Sequence, residues 1–140
     1  MEIKVVVSDP ESGKSYQKEV KDEQAKRLKG LKIGQEFDGS IVGLTDFKLK
    51  ITGGSDKSGF PMRKGIHAFG REKVLTKGGV GYNPAREERI RKSIRGEAIA
   101  EDISQVNAKV VKKGKQTIED ALGIKTEEKK AEEKPAEEKK

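Results

Sequence analysis

The chain has 140 residues, 39% of them charged and 31% hydrophobic, and its 31 basic against 24 acidic residues give a formal net charge of +7. Leu, Ile, Val and Phe together make up about 22% of it, just above the level at which a charged chain stays unfolded, so one small domain without a deep substrate pocket is expected. It has no cysteine, one histidine, no apolar run of membrane length and no basic-apolar leader pattern; disulfides, thiolate chemistry, a transition-metal centre, a membrane span and a secretory signal are therefore not expected, and a soluble intracellular protein is.

Val and Ile outnumber Leu more than threefold, and such stiff β-branched side chains suit pleated strands better than helices. In chain order, residues 2–8 predict a strand, Asp9-Pro10-Glu11-Ser12-Gly13 a turn, and residues 15–20 the returning arm of a hairpin. A short helix over 22–29 follows, with Asp22 placed to cap it, Ala25 and Leu28 on one face, and Gly30 to stop it. Strands are predicted at 36–43 and 46–52; in the second, Phe47, Leu49 and Ile51 face one way and Lys48 and Lys50 the other. Residues 53–89 read mostly as loop, with short strands near 60–66 and 73–76. Residues 90–100 and 105–112 read as extended, and 117–122 as a last helical turn or two before Gly123. Short strands at this spacing suggest a mainly β fold, a small closed or partly closed β-barrel-like domain over residues 1–124 with one or two short helices. Residues 125–140 (KTEEKKAEEKPAEEKK) can bury almost nothing and read as a disordered, charged tail.

The charge is unevenly distributed. Residues 48–95 hold 13 basic and 4 acidic residues, a balance of +9, whereas 1–47 and 96–124 each come to −1 and the tail to zero. A localised cationic patch attracts polyanions, and each neutralised phosphate releases counterions. Nucleic acid is therefore favoured over a merely solvated face, with composition leaving RNA and DNA both open.

No enzymatic signature accompanies it. The phosphate loop G-x-x-x-x-G-K-[ST] is absent, and Gly79-x-Gly81 is followed by Pro84 where a dinucleotide fingerprint needs glycine. His67 lacks a nucleophile and an orienting partner, so a structural or solvent-facing role is expected for it; Glu87 and Glu88 lie among arginines and suit salt bridges. No catalytic residue, metal, cofactor or small-molecule substrate is expected.

One stretch stands out: Ile51-Thr52-Gly53-Gly54-Ser55-Asp56-Lys57-Ser58-Gly59-Phe60-Pro61-Met62, a cationic strand running into a glycine-rich loop. Glycines there would let the backbone approach a phosphate closely, or would serve only to turn the chain; the residues alone leave both open. This stretch, with Asp38-Gly39-Ser40, Lys48-Leu49-Lys50, Gly79-Val80-Gly81-Tyr82, Arg91-Lys92-Ser93-Ile94-Arg95-Gly96 and Val110-Val111-Lys112-Lys113-Gly114, resembles the small-subunit ribosomal protein six family of the eukaryotic and archaeal type (S6e) over about residues 1–124. The resemblance implies a β-barrel-like structural constituent of the small ribosomal subunit, acting in the cytoplasm on the ribosome and bound to ribosomal RNA and neighbouring ribosomal proteins. Eukaryotic members continue into a long basic helix ending in phosphorylated serines; this sequence instead has the Glu/Lys tail and resembles the archaeal short form.

Two groups of RNA contacts are expected within the basic stretch: Lys48, Lys50, Lys57, Arg63, Lys64, Arg71, Lys73 and Lys77, and an arginine-rich group of Arg86, Arg89, Arg91, Lys92 and Arg95, with Gly53 and Gly54 (and Gly59, Gly78, Gly79 and Gly81) for close backbone approach. Arginine binds phosphate bidentately and stacks on exposed bases. Phe37 and Phe47 fit core positions, and Phe60 and Tyr82 stand in the basic loops, too few aromatics for a base-stacking sheet; shape and backbone recognition of folded RNA is expected. Ser93 reads as a strand serine facing RNA. A free RNA- or DNA-binding module, such as an RNA chaperone or chromatin protein, shares the same basic stretch and is the alternative.

Overall fold

The structure, a computed structural model, describes residues 2–86, 88–114 and 118–122. The expected tail at 125–140, Glu87 and Gly123 lie outside the described residues. Among the described residues, seven strands form two sheets: β1 (Glu2–Ser8), β2 (Ser15–Lys21), β3 (Glu36–Asp38), β4 (Lys48–Asp56) and β7 (Ile103–Lys112) in one, and β5 (Arg71–Thr76) with β6 (Ile90–Arg95) in the other. Two short helices accompany them, α1 (Asp22–Leu28) and α2 (Ile118–Leu122).

The larger sheet has the order β2-β1-β7-β4-β3 and curls into a half-barrel, the partly closed form of the expected architecture. Its curl has a local cause. Pairing of β4 with β7 shifts register between Lys48 and Leu49, between Ile51 and Gly53, and between Ser55 and Asp56, and such irregularities bend a strand and increase its twist. The first and last strands pair in parallel, Val5 opposite Val106 and Val7 opposite Ala108, so nearly the whole chain is the crossover between them.

Strand alternation fills the concave side. Ile3, Val5 and Val7 of β1, Leu49 and Ile51 of β4, and Val106, Ala108 and Val110 of β7 are buried and form one cluster with Val20, Phe37, Val42, Leu44 and Phe47. Helix α1 adds Ala25 and Leu28, three apart on one face, and α2 adds Ile118 and Leu122. Each fully buried aliphatic side chain contributes about 1.5–3 kcal/mol relative to exposure.

Several boundaries differ from the sequence reading, each for a physical reason. Lys21 rather than Asp22 occupies the N-cap position of α1, without a side-chain cap bond. The strand expected over 36–43 ends at Asp38, and Gly39–Val42 tightens into a 3-10 turn. A Cβ on Gly39 would come within 2.5 Å of the Leu44 carbonyl oxygen, so only glycine admits that turn. Residues 60–66 contribute only isolated bridges at Pro61 and Met62, and the extended segment at 90 stops at Arg95. Most consequential for the site, Gly53 and Gly54 are not in a loop: they lie inside β4, opposite Asn107 and Val106. A Cβ on Gly54 would meet the Gln105 carbonyl oxygen at 2.5 Å and Met62 Sδ at 2.9 Å. The close approach this glycine allows is to its own chain.

Candidate nucleic-acid interface

The basic middle third builds the second sheet and its surroundings. β5 and β6 form an antiparallel ribbon pairing Arg71 with Arg95, Lys73 with Ser93, Val74 with Lys92 and Leu75 with Arg91. Directly opposed residues share a face, so Arg71, Lys73, Leu75, Arg91, Ser93 and Arg95 line one side. Glu72, Val74, Thr76, Ile90, Lys92 and Ile94 line the other, where Ile94 and Thr76 are buried. Lys92 Nζ stands 5.4 Å above the centre of the Tyr82 ring.

The base of the ribbon is fixed to the half-barrel by a charge cluster. Arg71 and Arg95 face each other across the two strands, a repulsive arrangement by itself. Asp56, buried at the end of β4, resolves it: Arg71 Nε donates to Asp56 Oδ2 at 2.7 Å, and Arg95 Nη1 lies 4.0 Å from the same oxygen. The Ser58 and Phe60 N–H groups donate to Asp56 Oδ1 at 2.9 and 3.0 Å. Burial works to raise the Asp56 pKa, but the Arg71 hydrogen bond and those two N–H groups outweigh it and hold the carboxyl below its ordinary range. Arg95 is 3% exposed; its Nη2 reaches Asp102 at 3.5 Å, while its buried Nε has no hydrogen-bond partner among the described residues. Expected at the sequence level to bind RNA, Arg95 instead points inward, toward the buried Asp56 on one side and the exposed Asp102 on the other.

Two further residues of the expected set are tied to the chain by their own hydrogen bonds. Arg63 Nη1 donates to Thr76 Oγ1 at 3.0 Å and its Nη2 to the Gly78 carbonyl at 3.3 Å, bracing the end of β5. Arg71 also donates from Nη2 to Ser58 Oγ at 2.8 Å and stacks over Phe60, with Cζ 4.5 Å from the ring centre. The 63–70 loop is held by Glu97, a buried carboxylate that accepts from the Gly65 N–H at 3.0 Å, from His67 Nδ1 at 2.7 Å and from Lys32 Nζ at 3.3 Å. The Gly65 N–H first, then His67, hold the Glu97 pKa down to about 2 against desolvation, with Lys32 adding to the effect. The lone histidine thus tethers a loop from an exposed position, with 77% of its side chain accessible.

The remaining cations point outward. Lys48, Lys57, Lys64, Lys73, Arg86, Arg89, Arg91 and Lys92 are exposed and Lys50 half-buried, and none pairs with a carboxylate among the described residues. Lys77 is exposed as well. They do not form a single patch. Lys48 and Lys50 lie on the solvent face of the half-barrel, opposite Lys112 and Lys109 of β7 and next to Asp38 and Glu36 of β3. Lys57 borders an open depression with Lys26, Lys29, Glu101 and Asp102 near α1. Lys73, Arg91 and Lys92 are on the ribbon, and Lys77, Arg86 and Arg89 are in the 77–89 connection beyond it. Apolar side chains are interleaved with them: Leu75 is 57% and Val80 54% exposed. Sequence reasoning missed Asp56, Glu97 and these apolar residues. Its position as the one acid between Lys48 and Arg71 was the available signal for Asp56.

The fold and its surface describe a small, mainly β protein with exposed cations on a two-stranded ribbon, on the connection beyond it and on the half-barrel face. The sequence model of the ribosomal protein S6e family matches residues 3–123, and the chain belongs to that family, one of structural ribosomal proteins and not of enzymes. Among curated relatives, the small ribosomal subunit protein eS6 of Methanothermobacter thermautotrophicus is 52% identical over 128 residues, covering 91% of this chain and 100% of the relative. The protein of the same name from Archaeoglobus fulgidus is 46% identical, with 91% and 100% covered. That from Haloarcula marismortui is 42% identical, with 87% and 95% covered.

Proposed function

We propose that this protein is a structural constituent of the small ribosomal subunit in the cytoplasm, and that it binds ribosomal RNA chiefly through the β5–β6 ribbon and the 77–89 connection. The observation that carries this reading is the set of exposed Lys73, Arg86, Arg89, Arg91 and Lys92, none neutralised by a carboxylate among the described residues, on and beside an element pinned at its base. Such cations attract a phosphate-lined surface and gain counterion-release free energy on contact. A narrow ribbon suits folded RNA, which is recognised largely through shape and backbone. Lys48 and Lys50 on the half-barrel face would meet a second RNA segment. Gly53 and Gly54 have no role in RNA contact in this reading, and Arg95 and Arg63 act by holding the ribbon.

The test is a salt titration of binding to small-subunit ribosomal RNA. Arg91→Ala with Lys92→Ala should fold normally and lower the slope of log K against log salt by about two units. An unchanged slope would remove the ribbon from the interface. Co-sedimentation with small subunits through a high-salt wash separates a ribosomal constituent from a free nucleic-acid-binding module, which would be shed.

A further inference from the structure

The base of the ribbon holds a flat cationic surface that differs in kind from the lysines around it. We propose that the Arg71 guanidinium is a stacking platform for one unpaired nucleobase of the bound RNA, an inference that rests on the RNA-binding reading above. Three observations fix its geometry. Asp56 Oδ2 takes Nε at 2.7 Å and Ser58 Oγ takes Nη2 at 2.8 Å, which locks the plane of the group along one edge. The group lies over the Phe60 ring, with Cζ 4.5 Å from the ring centre. The side chain nonetheless remains 41% exposed, and Nη1 has no hydrogen-bond partner among the described residues.

A group so held is suited to a base more than to a phosphate. Asp56 already offsets its charge, so the long-range pull on a phosphate is weakened, whereas its flat surface is pre-organised and loses no rotamer freedom when a ring settles on it. Phe69, 67% exposed and two residues before Arg71, places an apolar ring beside it in the chain. Lys73, two residues further out on the same ribbon face, with Ser93 opposite it, stands where the sugar-phosphate of the same nucleotide would continue. A guanidinium layered between a phenyl ring and a base is a favourable stack that every base can make.

The experiment uses the full chain and an RNA hairpin with a single bulged adenosine, compared with the same hairpin carrying an abasic residue at the bulge. The two RNAs have equal phosphates, so only a base contact separates them. Wild type should bind the adenosine form roughly tenfold or more tightly. Arg71→Lys, which keeps the charge and loses the plane, should bind both forms equally with an unchanged salt slope. Equal binding of both RNAs by wild type would overturn the platform and leave the phosphate reading standing; binding of neither would overturn both. Phe60→Leu, which keeps every charged partner, guards against a folding defect in Arg71→Lys: retention of full discrimination by either folded variant would refute the stack.

Discussion

Replacing Asp56 by alanine tests the joint between half-barrel and ribbon. The substitution removes an acceptor of three hydrogen bonds between 2.7 and 3.0 Å and leaves Arg95, 3% exposed, with only a 3.5 Å contact to the exposed Asp102. Removing one partner of a buried ion pair costs about 3–5 kcal/mol, because the surviving charge stays desolvated. Arg71 is partly exposed and can turn into water, which recovers some of that cost, so a loss of about 3 kcal/mol is expected. For a small domain with a urea m-value of about 1.5 kcal/mol/M, the midpoint falls by roughly 2 M. The mechanism makes a sharper demand than the magnitude. If the cost comes from stranding Arg95, then Arg95→Met in the Asp56→Ala background should regain part of the stability, giving a coupling of about 1–3 kcal/mol in the double-mutant cycle. Losses under about 1 kcal/mol, or additive single effects, would mean that the cluster does not hold the ribbon.

Two further outcomes follow from the loop under the ribbon. Gly96→Ala drives a Cβ into the Ala68 carbonyl; it should destabilise by at least ~2 kcal/mol and raise protease sensitivity between residues 64 and 70, and a neutral effect in urea denaturation would contradict the packing. Glu97 has a folded pKa of about 2 against an ordinary 4.5. Its stabilisation is therefore fully present above about pH 4.5 and fades as the pH falls toward about 2. Urea midpoints measured across that window should fall less steeply for Glu97→Gln than for wild type, and identical slopes would remove Glu97 as the loop's anchor.

Much of the fold was legible where the signal is local. The alternation of Phe47, Leu49 and Ile51 against Lys48 and Lys50 located a strand and its buried face, and the valine-containing segments 2–8 and 105–112 located β1 and β7. Their parallel pairing was not legible, since it joins residues about a hundred positions apart and leaves no mark in either strand. Gly53 and Gly54 misled for a related reason. Glycine reads as a turn because its own backbone is permissive, but at Gly54 the missing side chain makes room for Gln105 and Met62. The need for that space comes from distant residues, and a single sequence shows only the glycine.

The concentration of basic residues was legible, the division of their side chains between the chain and solvent was not, and the distinction is one of charge neutralisation. Adding up charges treats Arg63, Arg71 and Arg95 as equal to Lys64, Lys73 and Lys92, yet in the structure these three arginines are bound to the chain and these three lysines are exposed. Arginine's chemistry explains the division. Its fork of donors can satisfy a carboxylate, a hydroxyl and a carbonyl at once and is more weakly hydrated, so it is the cation that a fold can withdraw from water; lysine's compact, strongly hydrated ammonium stays outside. Arg63 is held by the Thr76 hydroxyl and the Gly78 carbonyl, whereas Arg71 and Arg95 are held where an acid is buried. Asp56 lies 15 residues before Arg71 and 39 before Arg95 and meets both only because β4 ends beside the base of the ribbon. The stretch with the largest positive balance thus does two jobs: its chain-bound arginines set the ribbon's position, and the cations with no carboxylate partner supply a positive surface field.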